Sequence, residues 1–402
     1  MVEYSMELVE IKEGLGTFLI SPPKEEDDIP RRSDVVFFNA HQEINRDFSV
    51  LAVRAYAKEN NKSDLSICEP LCGSGVRSCR YAIETPSASI YCNDLNLNAI
   101  EITKKNISRL PKEASRIIHL SNMECNLFLK QLNLKDMIFD FIDIDPYGTP
   151  IPFVQNSIQL VTTKGLLAFT ATDLASLVGL YPRALYAKYS ISHFDTRIGN
   201  VHEIAARILI AGIQHIGLTL NQSLMPIASF YYRHFIRVFF NRFRGVDRVI
   251  DHIGFINYCD NCQTRYCSSL EKKTETCPKC NAITKSRIGP LYIGSIQNYE
   301  YLAKVLNDEH LNKLGAKRKL SKLIPIMQDE LLIDVPWSFE LPNIAQKISG
   351  PVPSIDKVIS KLQEIGFDGC RTHFSGTSFK TNAQEPDIAS IMNSLNKENQ
   401  IS

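Results

Sequence analysis

Between residues 65 and 175 short apolar runs alternate with segments of helical periodicity. Leu65-Ser66-Ile67-Cys68, Ser89-Ile90-Tyr91-Cys92, Ile117-Ile118-His119-Leu120, Met137–Ile144 and Gly165–Thr172 each read as a strand. Gly75–Ile83, Leu97–Leu110, the stretch near Leu127–Leu132 and Phe153–Leu160 read as the helices between them. Strands alternating with helices of about ten residues predict βαβ units and a parallel sheet. The expected class is α/β, with the ligand beyond the carboxyl ends of the strands, at the topological switch point. After about residue 225 the texture changes. Phe230–Arg244 is aromatic and arginine-rich, a cysteine-dense stretch follows, and mixed helix and strand come last. Helices are expected at Tyr299–Leu306, Lys317–Asp329 and Ile355–Ile365, the last with Ser354 as N-cap and Gly366 as stop. This gives two domains, 1–225 and an α+β domain 226–402.

Composition narrows the class. With 402 residues and 44% hydrophobic content the chain is long enough for two or three globular domains and is not a disordered one. A formal charge of +1 gives no global positive field, so a nucleic acid must be met by a local patch. Met1–Glu10 carries three glutamates and no basic residue, which is unlike a signal or transit peptide. No run of about 18 apolar residues is present, so no membrane span is expected. The 11 cysteines are an odd number, which fits reduced thiols in a cytoplasmic protein rather than a disulfide scaffold.

The strand ends carry the chemistry. The first feeds Glu69-Pro70-Leu71-Cys72-Gly73-Ser74-Gly75-Val76-Arg77, where two glycines permit a tight turn and close ligand approach. The third glycine of the dinucleotide fingerprint is missing, Cys79 standing near its place, which disfavours a nicotinamide site. Asp94 follows the second strand, where a carboxylate accepts both hydroxyls of a ribose. Glu124, followed by Cys125, comes after the third. The fourth delivers Asp145-Pro146-Tyr147. A carboxylate and the Pro146 carbonyl suit two hydrogen bonds from an exocyclic amine, and the aromatic ring suits stacking on the base that bears it. Each acid alone has a plainer reading as a helix cap or loop residue, and Pro and Gly are ordinary turn residues. An acid before the glycine turn, one after strand two and one after strand three form the pattern of S-adenosylmethionine (SAM) sites, and with the Asp145 motif all four strand ends carry suitable chemistry.

With these motifs in place, the chain resembles the tRNA (guanine-26, N2)-dimethyltransferases from about Glu13-Gly14 to its end. The blocks are Val36-Phe37-Phe38-Asn39 with Asn45-Arg46-Asp47, Leu71–Arg77, Asn93-Asp94, Asp145–Pro150, Thr170-Ala171-Thr172-Asp173, His202-Glu203 and Arg371-Thr372-His373-Phe374. The resemblance implies a Rossmann-like class I methyltransferase domain that binds SAM. Arg46, Arg77 and Asp94 are its expected SAM contacts, with Glu69, Gly73 and Gly75 in the loop and Glu124 and Cys125 near the adenine. Asp145, Pro146 and Tyr147 are the expected catalytic residues for mono- and dimethylation of guanine N2 in tRNA. Two departures stand out: Tyr147 replaces the family's usual phenylalanine, and Glu124-Cys125 a more usual Asp-Ala. The runner-up readings are an exocyclic-amine methyltransferase on rRNA guanine or adenine N6, and a non-catalytic zinc-containing RNA-binding protein.

Cys259-x-x-Cys262 and Cys277-x-x-Cys280 have the spacing of a four-thiolate zinc site. All four ligands come from protein, so the metal expected is structural. Cys267 is left over as a possible competitor. For tRNA, two basic stretches are candidates: Tyr231, Tyr232, Arg233, His234, Arg237, Arg242, Arg244 and Arg248, and Lys313, Lys317, Arg318, Lys319 and Lys322. No obligate protein partner is expected, and a monomer is favoured.

Overall fold

Apolar runs become strands where both faces can be covered. Phe139–Ile144 is buried at every position, as in the middle of a parallel sheet. The structure, a computed structural model, describes residues 7–22, 36, 38–271 and 276–401, the last three without side chains. Phe37 and the first six residues of Met1–Glu10 lie outside the described residues.

By the density of its internal contacts the chain forms two compact units. The first runs up to Ala171 and takes in Phe239–Phe243 and Glu300–Lys322; the second is Thr172–Val238, Arg244–Tyr299 and the chain from Leu323 on. The sequence reading makes a single cut near 225, whereas these units interleave.

The first unit begins with an antiparallel hairpin, β1 (Val9–Glu13) and β2 (Gly16–Ile20). A long buried helix, α1 (Glu43–Glu59), follows. Then come β3 (Leu65–Glu69), α2 (Val76–Glu84), β4 (Ser87–Asn93), α3 (Leu97–Ser108), α4 (Lys112–Arg116) and β5 (Ile118–Ser121). After these come α5 (Cys125–Leu134), β6 (Phe139–Ile144), α6 (Ile151–Leu160) and β7 (Val161–Ala171). The five core strands are mutually parallel, in the order β5-β4-β3-β6-β7. The chain thus moves outward from β3 to β5 and returns to the other side of β3 at β6. The switch point lies between β3 and β6, where the α/β rule puts a ligand.

The second unit holds α7 (Leu174–Leu177), α8 (Pro182–Tyr189), α9 (Val201–Thr219), β8 (Gln222–Tyr232) and the start of β9 (Phe235–Arg244). One sheet has the order β11-β10-β12, from β10 (Ile253–Tyr258), β11 (Arg265–Ser269) and β12 (Ser286–Tyr292). Helix α10 (Tyr299–Leu306) and the first part of α11 (Lys317–Asp329) return to the first unit, and each helix ends on the residues that periodicity predicted. The C-terminal part has β13 (Phe339–Glu340), α12 (Leu341–Lys347), α13 (Ile355–Glu364), β14 (Gly369–Arg371), β15 (Ser378–Thr381) and α14 (Glu385–Ile401). Ser354 stands at the N-cap of α13 but makes no side-chain cap bond there. The α/β first unit and the α+β second unit are the expected classes.

Candidate functional site

Four acids stand at the carboxyl edge of the parallel sheet, one on or after each of β3, β4, β5 and β6. The loop after β3 turns on Gly73 (φ 53°) and Gly75 (φ 72°), both in the left-handed region where a side chain is strained. A Cβ at Gly75 would also come within 2.5 Å of Thr103 Cγ2. The sequence therefore needs glycine here to start α2 close against α3.

Asp94 closes this loop from the side. One carboxylate oxygen accepts the Gly73 N–H at 2.9 Å and the other accepts the Asn96 N–H at 2.9 Å. Each oxygen keeps a further lone-pair direction for a hydroxyl. Glu124 caps α5, accepting from Leu127 N at 2.8 Å, so the plainer reading of that residue is realised alongside any ligand contact. Cys125 opens the same helix and is buried; burial pushes its thiol well above the ordinary range. Arg46 is gripped by Glu13 through Nε and Nη2, both at 2.6 Å, and gives Nη1 to the Asn39 carbonyl. Burial opposes the Glu13 charge, but Arg46 and Arg80 outweigh it and hold that carboxyl down at about 2.

Arg77 is the hub. Its guanidinium is almost fully buried and meets three carboxylates: Glu69 Oε1 at 3.3 Å from Nε, Asp143 Oδ2 at 3.2 Å from Nη1, and Asp145 Oδ2 from Nη2. Nη1 also donates to Asn45 Oδ1 at 3.0 Å and Ser49 Oγ at 3.2 Å. Tyr81 Oη donates to Asp143 at 2.6 Å. Burial, reinforced by Asp143 and Asp145 and opposed by Arg77, pushes the Glu69 carboxyl up to about 8. Asp145 thus leaves the strand with one oxygen fixed. Pro146 is buried behind it, and the Tyr147 ring is exposed at 57% of its area beside the turn at Gly148 (φ 97°).

Glu13, Asn45, Ser49, Tyr81 and Asp143 were not foreseen. Asp143 had a signal: it is two residues before Asp145, and strand alternation puts i and i+2 on one side. Asn45 and Ser49, one helical turn apart, had another, since buried polar residues at that spacing face one partner.

In the second unit the four predicted cysteines converge. The sulfurs of Cys259, Cys262, Cys277 and Cys280 all lie within 4.8 Å of one another. Cys259–Cys280 and Cys262–Cys277 are 3.6 and 3.5 Å apart. Four thiolates at about 2.3 Å from zinc sit roughly 3.8 Å apart, so the set fits that ion. Two matching knuckles create it. Gln263 N bonds back to Cys259 O and Asn281 N to Cys277 O, with Gln263 (φ 58°) and Asn281 (φ 57°) in the left-handed conformation. Cys267 is paired opposite Ile256 in the β10–β11 ladder and is not one of the four clustered sulfurs.

The two basic stretches fare differently. Arg237 is fully buried, so Tyr231–Arg248 is not one exposed patch. The Arg371–Phe374 block is mostly structural: Arg371 pairs with Asp356 at 2.8 Å, and Thr372 and His373 bond to Glu330 at 2.7 Å. Among the described residues no helix is long and apolar enough to cross a membrane.

A family model described as N2,N2-dimethylguanosine tRNA methyltransferase matches residues 16–393. A relative from Aquifex aeolicus, a tRNA (guanine(26)-N(2)/guanine(27)-N(2))-dimethyltransferase, is 30% identical over 395 residues, 96% of each chain. A tRNA (guanine(26)-N(2))-dimethyltransferase from Methanosarcina acetivorans is 30% identical over 396 residues, 94% of this chain and 97% of its own. The solved complex of Trm1 from Pyrococcus horikoshii with S-adenosyl-L-methionine has a TM-score of 0.80 at 25% identity, covering 96% of this chain and 100% of that one.

Proposed function

The chain belongs to the N2,N2-dimethylguanosine tRNA methyltransferase family, and from that premise we propose that it methylates the N2 amine of guanine 26 in tRNA, using SAM. The observation that carries this reading is the Arg77 hub, which ties the glycine-loop helix α2 to Asp145 at the switch point. The alternatives on other nucleic acids have no observation in their favour.

SAM supplies an electrophilic methyl group. The rest is positioning, because guanine N2 is a poor nucleophile whose lone pair is delocalised into the ring. Asp145 and the Pro146 carbonyl accept the two N–H bonds and turn that lone pair toward the methyl. Fixed orientation of this kind contributes several kcal/mol, up to roughly 7–11 in the best cases. Positive charge develops on N2, and the Asp145 carboxylate stabilises it. Tyr147 stacks on the base. After one transfer a hydrogen remains on N2, so a second round is chemically open. Asp94 takes the ribose hydroxyls, Glu124 and Cys125 flank the adenine, and Glu69, Gly73, Gly75, Arg46 and Arg77 build the cradle. Residues 1–225 serve as the catalytic domain and 226–402, with its structural zinc, as the tRNA-binding one, in a cytoplasmic monomer.

The deciding experiment is methylation of unmodified tRNA followed by nucleoside mass spectrometry and site mapping. N2-methylguanosine anywhere but position 26 or its neighbour would contradict the target, and absence of any methylated guanosine would contradict the activity. Asp94→Ala is expected to weaken SAM binding at least tenfold by calorimetry, the value of a charged hydrogen-bond acceptor. An unchanged dissociation constant would remove Asp94 from the ribose. Elemental analysis should find one zinc per chain, and Cys277→Ser should lower it below half and destabilise the second unit. A well-folded native protein with little zinc would leave the cysteines as plain thiols.

A further inference from the structure

We propose that the first turns of α11, from Lys317 to Lys322, are a binding surface for the RNA sugar–phosphate backbone, taking phosphates near the nucleotide that enters the Asp145 site. It rests on the tRNA reading above and assigns that substrate a place on the first unit.

The segment is unusual in charge. Between Glu309 and Asp329 there is no acid, while Lys313, Lys317, Arg318, Lys319 and Lys322 fall in that stretch of a chain whose net charge is +1. All five are exposed. Ala316 and Leu320 are buried at 1% and 0%, so α11 turns its apolar side inward and presents its basic side to solvent. Arg318 and Lys322 stand one turn apart on that side.

Among the described residues, four of these five charges also lack a carboxylate partner. Several other cations of this unit do have carboxylate partners, although Lys105, Lys130 and Lys135 also stand without one among the described residues: Arg54 and Lys58 share Asp308, Lys62 meets Asp140, Lys104 meets Glu101 and Arg109 meets Glu10. Among the described residues Lys313, Lys317, Arg318 and Lys322 form no ion pair. Cations set together on one helix face without acids cost self-repulsion and return nothing to the fold. They do suit a polyanion, whose bound counterions are released on contact.

Position makes the polyanion the substrate. The Ala316 N–H, at the start of α11, is held by Asp47 Oδ2 at 2.8 Å. Asp47 is on α1, two residues from Asn45, which accepts from Arg77 at 3.0 Å, and Arg77 holds Asp145. The basic turn is therefore anchored to the same helix end that supports the catalytic carboxylate. Phosphate contacts there set register without reading sequence. The other basic stretch lacks this build, since Arg237 is buried and Arg242 gives Nη1 to the Val161 carbonyl.

The test compares the full-length enzyme with K317E/R318E/K322E on an unmodified tRNA transcript bearing guanine at position 26, over a range of salt. The expected result is a KM for tRNA raised about tenfold or more, with the slope of log KM against log salt reduced by roughly 2–3, about 0.9 for each phosphate no longer neutralised. The kcat at saturating tRNA and the SAM dissociation constant should stay within about twofold, since no catalytic or SAM-binding residue is altered. The milder K317Q/R318Q/K322Q set should move KM and slope in the same direction by less, and it serves if charge reversal unfolds the chain. Unchanged KM and slope in an active variant would overturn the surface while leaving the methylation reading intact. A native enzyme that methylates no tRNA would take both down together.

Discussion

Asp145→Ala should lower kcat for tRNA methylation by about a thousandfold, in line with the loss of a preorganised charged group at a reaction centre. SAM affinity should change little. The carboxylate follows β6, whereas Asp94, proposed above for the ribose, follows β4 and is bonded to the glycine loop. Asp145→Asn is the informative companion. One Asp145 oxygen is occupied by Arg77, so the other is left to accept from the guanine amine. Asparagine has only one acceptor oxygen: turned to the guanine it sets its NH2 against the Arg77 donor, and turned to Arg77 it offers the guanine amine a donor. Asn should therefore be nearly as inactive as Ala, whereas an Asn variant close to the native rate would show that a single acceptor oxygen suffices. Single-turnover rates at saturating SAM and tRNA, with SAM affinity measured separately, decide this. Near-normal turnover in the alanine variant would displace Asp145 from the reaction.

Arg77→Ala should cost about 3–5 kcal/mol of stability, the range for removing one partner from a buried ion cluster. Three carboxylates share this guanidinium, and Glu69 and Asp143 are buried at 2% and 0% exposure. Lysine should rescue poorly, because one ammonium cannot present the planar fork that reaches three acids. The loss has a pH signature. Glu69 in the folded chain is already pushed up to about 8 from 4.5, so its charged form opposes folding. Its stability term is therefore most favourable below 4.5 and is lost as pH rises through 8. Without Arg77 that penalty deepens, so the variant's deficit should be largest above pH 8 and shrink toward pH 5. Urea unfolding at several pH values measures it. A deficit under 1 kcal/mol, or one independent of pH, would mean that the cluster is not held by this charge.

The sheet and its acids were legible because each signal is local. An apolar run, a glycine turn and an acid occupy consecutive residues, so Glu69, Asp94, Glu124 and Asp145 could be placed at one edge before any fold was known. The cysteine knuckles were legible for the same reason: a Cys-x-x-Cys pair specifies its own turn. What supports Asp145 was legible only in fragments, and the pairing of those fragments was not. Arg77 depends on Asn45 and Ser49 from α1 and on Asp143 and Tyr81, and long-range polar pairing leaves no periodicity. Arg237 misled for the opposite reason. A basic, aromatic strand reads as a surface patch, yet Phe235–Phe240 is buried at every position, Arg237 included. The interleaving of the two units was equally hidden, since the return of residues 300–322 is fixed by contacts far apart in the chain.

That return sets a timetable. Tyr301 donates to the Ala52 carbonyl, Asp308 receives Arg54 and Lys58, and His310 meets Glu84. Asp47 waits for the Ala316 N–H. The first of these partners does not exist until the ribosome has reached residue 301 and the last not until residue 316, long after the parallel sheet has been synthesised. A nascent sheet must therefore carry Asp47 and Glu84 incompletely satisfied while most of the remaining chain is made. The enzyme gains its finished catalytic unit only once residue 322 has been made, together with the basic turns proposed to receive the RNA.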